Sequence, residues 1–326
     1  MTTRHPPRLR LAFFGAGAFG LPTLDALHAR HDLRLVVSQP SRPAGRKRVL
    51  TPTPIAQHAA TLGLSVEEVE LVNTDAFVER VAALGLDASI VIAFGQKLGE
   101  PLIDAMGRLA VNLHGSLLPA YRGAAPIQRA VMNGETTAGV CVIGLAQRMD
   151  AGPVYASASL PIEPTETAGE LHDRLAELGP QAVTAVLDDL LADRLNPVVQ
   201  DESLATRARK LTKADGTVDF DQPAGRVRAL INGLNPWPGC RVRWMRGDVD
   251  RAVLILRRAA ADGGAPAQAE PGTILDNRAG VACATGICRP LDIQAPGKPA
   301  TSIDDFLRGH AIQPGDRLLP FHHASA

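Results

Sequence analysis

Runs of consecutive apolar residues recur through the first 190 positions and alternate with segments of helical character. Five of these runs predict strands: LRLAFF, LRLVVS, ASIVIAF, LAVNL and VCVIGL. They are continuous rather than alternating, as expected for strands that are buried on both faces of a parallel sheet. Helices are predicted between them near residues 19–30, 75–84 and 124–133, and a longer helix over roughly 167–192. The pattern indicates a doubly wound, Rossmann-like α/β domain.

The pattern changes after residue 192. Residues 193–212 are polar, charged and rich in turn-forming residues, which is typical of a linker. Beyond them, short runs such as CRVRWM, AVLILRR, GTILD, GVACAT and ICRPLDIQ are separated by Gly, Pro and Asp. Such runs indicate a small β domain, a sandwich or a barrel, and its basic strands favour an OB-like β-barrel. The predicted organisation is a catalytic domain over 1–192, a linker over 193–212 and a barrel over 213–326.

Composition narrows the class of protein. The chain has 326 residues, of which 45% are hydrophobic and 21% charged, so two domains can each bury a core. No run of about 18 apolar residues predicts a membrane span, and the start of the chain has no signal-peptide core. The four cysteines lack the density of a disulfide scaffold and the paired spacing of zinc ligands. We therefore expect a cytoplasmic, monomeric protein without a metal.

Charge is distributed unevenly although the formal net charge is zero. Residues 1–60 contain nine Lys and Arg against two Asp and Glu, whereas residues 61–110 contain three against eight. Residues 206–258 contain twelve against five. Two separated basic stretches favour a localised surface for a polyanion such as nucleic acid. A solvated surface with local salt bridges explains the counts equally well, so charge alone leaves both interpretations open.

Two polar side chains mark the end of one predicted strand. The run LAVNL carries Asn112 and is followed at once by His114, before a turn-rich loop that contains Pro119 and Gly123. Asp150 follows the histidine by 36 positions, in AQRMDAGPV. Open α/β sheets place their chemistry at the carboxyl ends of strands. Each residue alone is more often structural, and it is their combination that indicates a candidate site.

A second motif, GAGAFG over residues 15–20, follows the first strand and opens a helix, as the dinucleotide-binding pattern G-x-G-x-x-G does. Its glycines would let the backbone approach a pyrophosphate at a helix N-terminus. The acidic residue that would hold the ribose hydroxyl about 20 positions later is missing. An Arg in the following SQPSRPAGRKR could accept a 2′-phosphate, so NADP stays an alternative. A tight strand-to-helix turn is the favoured interpretation.

Longer stretches resemble a known family. NLHGSLLPAYRGAAPIQRAVMNGE resembles the signature of enzymes that use 10-formyltetrahydrofolate, and SQPSRPAGRKR resembles the tRNA-facing loop of methionyl-tRNA formyltransferases. AELGPQA, VQDESLATRARKLTKADGTVDF, NPWPG and PGTIL…GVACATG resemble the linker and C-terminal domain of that subgroup. The resemblance covers nearly the whole chain. It implies transfer of the formyl group of 10-formyltetrahydrofolate to the amino group of methionine on initiator Met-tRNA, for translation initiation.

The resemblance also implies roles for individual residues. The implied catalytic residues are Asn112, His114 and Asp150. The residues implied to border the folate are Ser116, Leu117, Leu118 and Pro119, and its pterin is implied to be lined by Phe94, Gly95 and the loop 146–150. The acceptor end of the tRNA is implied to contact Arg42, supported by Arg46, Lys47 and Arg48.

The sequence departs from the family pattern at two places. Ser41 stands where an Asp is expected in the basic loop, which alters the charge of that loop. GAGAF replaces the usual turn containing Thr-Pro after the first strand. The second departure leaves the implied catalytic residues untouched, but no role can be carried over into that turn.

The implied reaction is acyl transfer, in which an amine attacks the formyl carbon and N10 of the folate leaves. Negative charge develops on the formyl oxygen, and each donor aimed at it supplies roughly 3–4 kcal/mol. Asn112 and His114 are suitable donors to this tetrahedral oxyanion. Asp150 either orients or charges His114 or accepts the proton of the amine, and the sequence leaves these roles open. Ser116 lacks the G-x-S-x-G context of a nucleophile.

Other functions are weaker alternatives. A formyltransferase could act on a small amine, such as a sugar nucleotide or a purine precursor, but the basic second domain argues against this. An NADP-dependent oxidoreductase using GAGAFG and a non-enzymatic RNA-binding protein are the remaining candidates. In the second domain Trp237 and Trp244 could stack on bases, although packing is the favoured prediction for both. Its basic residues include Arg241, Arg243, Arg246, Arg257 and Arg258.

Overall fold

The computed structural model describes residues 7–45, 47–264 and 269–321. The chain forms two compact units, each assembled from more than one segment. The first unit comprises Met1–Arg122, Gly139–Leu160 and His172–Arg207. The second unit comprises Gly123–Ala138, Pro161–Leu171 and Ala208–Ala326. The segment 123–138 thus belongs to the same unit as the C-terminal third of the chain.

The strands follow one another through both units. Up to residue 161 they are β1 (Arg10–Gly15), β2 (Asp32–Ser38), β3 (Arg42–Ala44), β4 (Val49–Thr51), β5 (Val66–Glu68), β6 (Ala88–Ile92), β7 (Leu109–His114), β8 (Arg122–Gly123), β9 (Thr137–Gly144) and β10 (Val154–Pro161). Beyond it they are β11 (Arg207–Ala208), β12 (Cys240–Arg246), β13 (Val249–Asp262), β14 (Val281–Ala282), β15 (Ile287–Gln294), β16 (Ala300–Ser302) and β17 (Arg317–Pro320).

Helices separate many of these strands. The α-helices are α1 (Leu21–Arg30), α2 (Pro54–Thr61), α3 (Asp75–Ala83), α4 (Glu100–Ala105), α5 (Pro126–Asn133), α6 (Ala168–Ala176), α7 (Gly179–Leu191), α8 (Ala224–Gly233) and α9 (Ile303–Gly309). Short 3₁₀ helices cover Ala18–Gly20, Glu202–Leu204 and Lys213–Gly216. Among the described residues, no helix combines the length and the apolar character needed to cross a membrane.

The first unit is built on a mixed sheet with the strand order β10-β9-β7-β6-β1-β2-β5. The strands from β7 through β5 run parallel, which confirms the predicted doubly wound, Rossmann-like class. The run VCVIGL was expected to be parallel as well, and that prediction is wrong because β9 pairs antiparallel with β7. A continuous apolar run reports burial on both faces, not direction. The antiparallel register places Cys141 beside His114 and Ile143 beside Asn112.

The helices begin and end where local chemistry dictates. The Thr53 hydroxyl accepts the Ala56 N–H at the start of α2, and Thr74 does the same for Phe77 at the start of α3. α5, predicted near residues 124–133, ends at Gly134, which adopts the left-handed conformation that glycine favours.

The single helix predicted over 167–192 is wrong, since α6 ends at Ala176 and α7 begins at Gly179. Pro180 explains the break: it has no N–H to donate to the carbonyl of Ala176 but fits the first turn of a new helix.

The second unit is a small antiparallel barrel. Its strand order is β14-β15-β13-β12-β17, and the circle closes where Thr273 bridges to Arg317 of β17 and Ile274 bridges to Val281 of β14. The predicted β-barrel is confirmed, and the run GTILD contributes these closing bridges rather than a full strand. Helix α8, which the sequence did not predict, packs its buried Val227 into the same core.

The two tryptophans of this unit differ. Trp244 is buried and its indole N–H donates to Asp316 at 2.8 Å, which confirms the packing prediction. Trp237 is 51% exposed, so the packing prediction is wrong for it, because the NPWPG turn holds this ring at the surface.

Candidate active site

Asn112 and His114 lie two positions apart on β7 and therefore project from the same face of the sheet. His114, the last residue of the strand, is only 6% exposed. Its Nε2 lies 3.0 Å from the carbonyl oxygen of Tyr121. A carbonyl can only accept, so Nε2 carries the proton, and Nδ1 presents either a lone pair or, in the imidazolium, a second N–H.

The Nδ1 atom of His114 faces Asp150. The distance to the Asp150 carboxylate oxygen is 3.7 Å, and the carboxylate is 13% exposed. This separation is too long for a direct hydrogen bond, so Nδ1 is not committed to the carboxylate and can reach a third group. Tyr121, which the sequence did not single out, fixes the tautomer, a task for which Asp150 had been one candidate.

The loop that carries Asp150 is held in a specific conformation. Asp150 has a φ of 55°, in the left-handed region that few non-glycine residues adopt. The Gln200 amide donates to the carbonyl oxygen of Asp150 at 2.8 Å and to that of Gly152 at 2.7 Å. Gly152 has to be a glycine here, since a Cβ would lie 1.8 Å from the carbonyl oxygen of Gly144. The carboxylate is therefore presented by a packed loop.

Unusual backbone conformations recur at this end of the sheet. Ala93, directly after β6, has a φ of 47°, and Tyr121, whose carbonyl binds His114, has a φ of 63°. Non-glycine residues in this region carry strain of about 1–3 kcal/mol, which persists only where the surroundings enforce it. Such residues concentrate at functional sites, and here they flank the His114 and Asp150 pair.

The segment implied to border the folate forms a tight turn after β7. The buried Ser116 hydroxyl donates to the Ala120 carbonyl at 2.7 Å, which makes it a turn-closing group. The Leu118 N–H lies 3.4 Å from the Cys141 sulfur, and the Leu118–Pro119 peptide is cis. Burial raises the pKa of the Cys141 thiol, so it stays protonated. Leu117, Leu118 and Pro119 are half-buried, which leaves part of each side chain accessible.

Phe94 and Gly95, the residues implied to line the pterin, follow β6 at the same sheet edge. The Phe94 ring is 2% exposed and packs edge-on against Phe14 at 5.6 Å between ring centres, so the core holds this side chain. Its carbonyl oxygen accepts a hydrogen bond from the Gln39 amide at 3.2 Å. Gly95 has a φ of 85° and no side chain to cover its backbone. A ligand at this position meets the backbone of both residues.

The basic loop forms a β3–β4 hairpin that presents its cations to solvent. Arg42, Lys47 and Arg48 are exposed, and Arg46 lies outside the described residues. Ser41, where the resemblance led us to expect an Asp, donates its N–H and its hydroxyl to the Glu68 carboxylate at 2.8 and 2.9 Å. Glu68 thus supplies a carboxylate at the base of this loop, where the expected Asp would have carried one.

The motif GAGAFG has a packing explanation. A Cβ at Gly15 would lie 2.6 Å from the Phe13 ring and 3.1 Å from the carbonyl oxygen of Ile92. The glycine is required where β1 leaves the sheet, independently of any pyrophosphate. This favours the tight-turn interpretation over dinucleotide binding.

Comparison with known proteins identifies the family. The formyl transferase family model matches residues 9–187, and the model of the formyl transferase C-terminal domain matches residues 210–311. Methionyl-tRNA formyltransferase of Rhizorhabdus wittichii is 41% identical over 312 residues, covering 95% of this chain and 98% of that protein. The chain belongs to the methionyl-tRNA formyltransferase family. The enzyme of the same name from Roseobacter denitrificans is also 41% identical, over 94% of this chain and 98% of its own length.

A solved structure extends the comparison beyond sequence similarity. The sugar 3N-formyl transferase WlaRD, determined in the presence of dTDP and 5-N-formyl-THF, has a TM-score of 0.63. The match covers 90% of this chain and all of that one, at 11% identity. At this identity the similarity concerns the fold, which both formyltransferases share. Membership in the methionyl-tRNA formyltransferase family confirms the function that the resemblance implied and speaks against the oxidoreductase and non-enzymatic alternatives.

Proposed function

We propose that this protein transfers the formyl group of 10-formyltetrahydrofolate to the α-amino group of methionine on initiator Met-tRNA. One observation carries the chemistry: His114 and Asp150 face each other at 3.7 Å, at the end of the strand that also carries Asn112. Together these side chains supply hydrogen-bond donors, from the Asn112 amide and the protonated His114 ring, and a carboxylate, which acyl transfer to an amine requires. Near-complete coverage by methionyl-tRNA formyltransferases supports the choice of acceptor.

The proposed role of each side chain follows from which of its polar atoms already have a hydrogen-bond partner. The Nε2–H of His114 is held by Tyr121, so Nδ1 is the atom that can donate to the formyl oxygen when the ring is protonated. The Asn112 amide is the second donor to the oxyanion that forms when the amine attacks. The Asp150 carboxylate stabilises the charged imidazole and lies within reach of the ammonium proton that the attacking amine sheds. N10 of the folate leaves with the electron pair of the broken C–N bond and takes up the proton that the attacking amine has shed.

The folate is proposed to lie along the turn Ser116–Pro119 and the backbone of Phe94 and Gly95. A flat pterin with donors and acceptors on its edge suits this place, because Gly95 is exposed and carries no side chain beside its backbone N–H and carbonyl. The half-buried Leu117 and Leu118 supply apolar contact for the ring faces.

The tRNA is proposed to meet the β3–β4 hairpin. Its exposed Arg42, Lys47 and Arg48 would bind acceptor-stem phosphates, and this holds the ester-linked methionine near the site. We also propose a cytoplasmic location, because the proposed acceptor, initiator tRNA, is charged and used there. We also propose that the protein acts as a monomer, because Asn112, His114 and Asp150 lie within one unit of the chain.

Transfer of a labelled formyl group tests the function directly. Purified protein is mixed with 10-formyltetrahydrofolate and with Met-tRNA of either the initiator or the elongator type. Labelling of the initiator alone supports both the reaction and the acceptor. Labelling of a sugar-nucleotide amine or a purine precursor in place of Met-tRNA overturns the proposed acceptor, and no transfer to any amine overturns the proposed reaction.

A further inference from the structure

Gln200 binds the loop that carries Asp150 at two points, although it lies 50 positions away in the segment predicted to be a linker. Its side-chain amide donates to the carbonyl oxygens of Asp150 and Gly152, at 2.8 and 2.7 Å. Gln200 is itself only 8% exposed. These two bonds hold the 150–151 and 152–153 peptide units, and with them the stretch of backbone from which the Asp150 side chain projects.

A buried arginine determines the orientation of that amide. Arg122, 8% exposed, donates to the Gln200 Oε1 atom from both Nε and Nη2, at 3.0 and 2.8 Å. A guanidinium has no acceptor, so it selects the oxygen of the amide and turns the nitrogen towards the loop. The charge of Arg122 is balanced by Glu202, whose carboxylate accepts two further bonds at 3.0 and 3.1 Å. Every polar atom of the Gln200 amide is therefore assigned by its partners.

The segment that contains Arg122 also binds His114. Tyr121 precedes Arg122 directly, and its carbonyl oxygen binds Nε2 of the imidazole. The backbone N–H groups of Tyr121 and Arg122 donate to the hydroxyl and the carbonyl oxygen of Thr206, at 2.8 and 2.9 Å. Residues 121–122 and 200–206 are thus joined by hydrogen bonds into one network. This network binds the imidazole of His114 through the Tyr121 carbonyl and the loop of Asp150 through the Gln200 amide.

We propose that Gln200 is a positioning residue for formyl transfer, which acts by setting the carboxylate of Asp150 against the imidazole of His114, with Arg122 fixing the orientation of its amide. The proposal rests on the proposed function and goes beyond it, because Gln200 itself touches no reacting atom. A misplacement of about 1 Å at a reacting centre costs on the order of a hundredfold in rate. Loss of the two hydrogen bonds from Gln200 therefore reduces kcat, while the binding of both substrates is retained.

The test uses the full-length protein and the substitution Gln200→Glu. The carboxylate keeps the contact with Arg122 but opposes two carbonyl oxygens, so the loop moves away. We expect kcat to fall on the order of tenfold to a hundredfold, with the KM values for folate and Met-tRNA and the melting temperature close to those of the wild type. Gln200→Met, which has similar length and donates nothing, provides a second variant if the first does not fold.

A matched control exists in the second unit. Gln294 accepts from Nε of Arg257 at 2.9 Å and donates to the carbonyl oxygen of Lys298 at 2.7 Å, which is the same chemical arrangement away from Asp150. We expect Gln294→Glu to retain the wild-type kcat. If it lowers kcat as much as Gln200→Glu does, the effect is general and the positioning role is overturned.

A double-mutant cycle with Asp150→Asn separates positioning from structure. If Gln200 acts through Asp150, adding Gln200→Glu to Asp150→Asn changes kcat by less than about twofold, because the two residues act as a unit. A full multiplicative effect in that background overturns the proposal, as does a wild-type kcat in the single variant. In both cases the wild-type enzyme still formylates Met-tRNA, whereas a wild-type protein without transfer overturns the proposed function itself.

Discussion

The imidazole of His114 and the carboxylate of Asp150 approach to 3.7 Å across 36 positions of sequence. The approach depends on the direction of one strand. β9 runs antiparallel to β7, and the loop between β9 and β10 turns back so that the Gly144 N–H donates to the Pro153 carbonyl at 2.9 Å. The Asp150 carboxylate thus projects from a loop closed by this hydrogen bond, and the Gln200 amide binds the same loop through two more.

Substituting Asp150 by Asn keeps the shape of the side chain and removes its charge. We expect kcat for Met-tRNA formylation to fall on the order of a hundredfold or more, because a positioned acid–base group contributes about 10²–10⁴-fold. Single-turnover transfer of a labelled formyl group measures the effect. Asp193→Asn is the control, since Asp193 has a similar φ of 52° but is exposed and pairs with the exposed Arg108. A wild-type rate in Asp150→Asn would remove Asp150 from the mechanism.

Asn112→Asp replaces a donor by an acceptor where the oxyanion is proposed to form. We expect a loss on the order of 10²–10³ in kcat, the usual effect of removing one oxyanion donor. Steady-state kinetics at saturating substrates gives kcat, and thermal unfolding confirms that the variant folds. The same change at the exposed Asn277 serves as control. If the two variants are equally active, Asn112 does not contribute to the stabilisation of the oxyanion.

Much of the fold could be predicted because burial is encoded locally. The apolar runs predict β1, β2, β6, β7 and β9, and the Gly134 stop of α5 is visible in the letters Asn-Gly. The direction of β9 could not be predicted, since both directions bury the same residues. The break before Pro180 was also missed, because the helical pattern of apolar residues continues on both sides of it.

Some residues of the candidate site could be predicted from the sequence and others could not. Asn112 and His114 are visible as polar residues that interrupt an apolar strand. Gln200 and Arg122 give no such signal, because a glutamine in a polar segment is indistinguishable from a solvated one until the chain folds. Their importance comes from contacts over 48 to 78 positions. Tyr121 acts through its backbone carbonyl, which no side-chain pattern can reveal.

Arg42→Ala tests the tRNA surface. The exposed Arg42 lies at the start of the β3–β4 hairpin, so its loss would remove the proposed phosphate contact without disturbing the core. We expect severely reduced formylation of Met-tRNA with nearly unchanged binding of 10-formyltetrahydrofolate. Measurements at several salt concentrations add a check, since each lost phosphate contact lowers the salt dependence of tRNA binding. Arg34→Ala is the control, because Arg34 is exposed and pairs with Asp32. Equal activity of the two variants would contradict a specific role for Arg42.

Ser41→Asp restores the residue that the family pattern predicts, yet we expect it to impair this protein. Ser41 donates two hydrogen bonds to Glu68, and an Asp would place a second carboxylate against the first. The hairpin should shift, which raises the KM for Met-tRNA and leaves the KM for folate unchanged. Combining Ser41→Asp with Glu68→Gln should recover most of the lost affinity, because the repulsion is gone. A Ser41→Asp variant with an unchanged KM for Met-tRNA would show that Glu68 does not position this loop.

Acid stability of the second unit depends on Asp316, which is 2% exposed. Burial, the largest single influence, raises the pKa of Asp316, but the hydrogen bonds from Arg246, Trp244 and the Gln313 N–H, together with the charge of Arg246, lower it below its ordinary value. A lowered folded-state pKa stabilises the protein above the unfolded-state pKa of about 3.9, and this contribution is lost as the pH falls through the folded-state value.

Asp316→Asn should therefore reduce the free energy of unfolding by about 1.5–3 kcal/mol at neutral pH, the contribution of hydrogen bonds to a charged group. The difference from the wild type should shrink as the pH falls below about 4, because the unfolded state binds a proton there first, and it should vanish as the pH falls through the lowered folded-state pKa. Urea unfolding at several pH values between 3 and 7 measures both quantities, and Asp304→Asn, at an exposed position of α9, serves as control. A difference that stays constant over this pH range would mean that the ionised form of Asp316 does not stabilise the barrel, and that the indole and guanidinium bond the neutral side chain equally well.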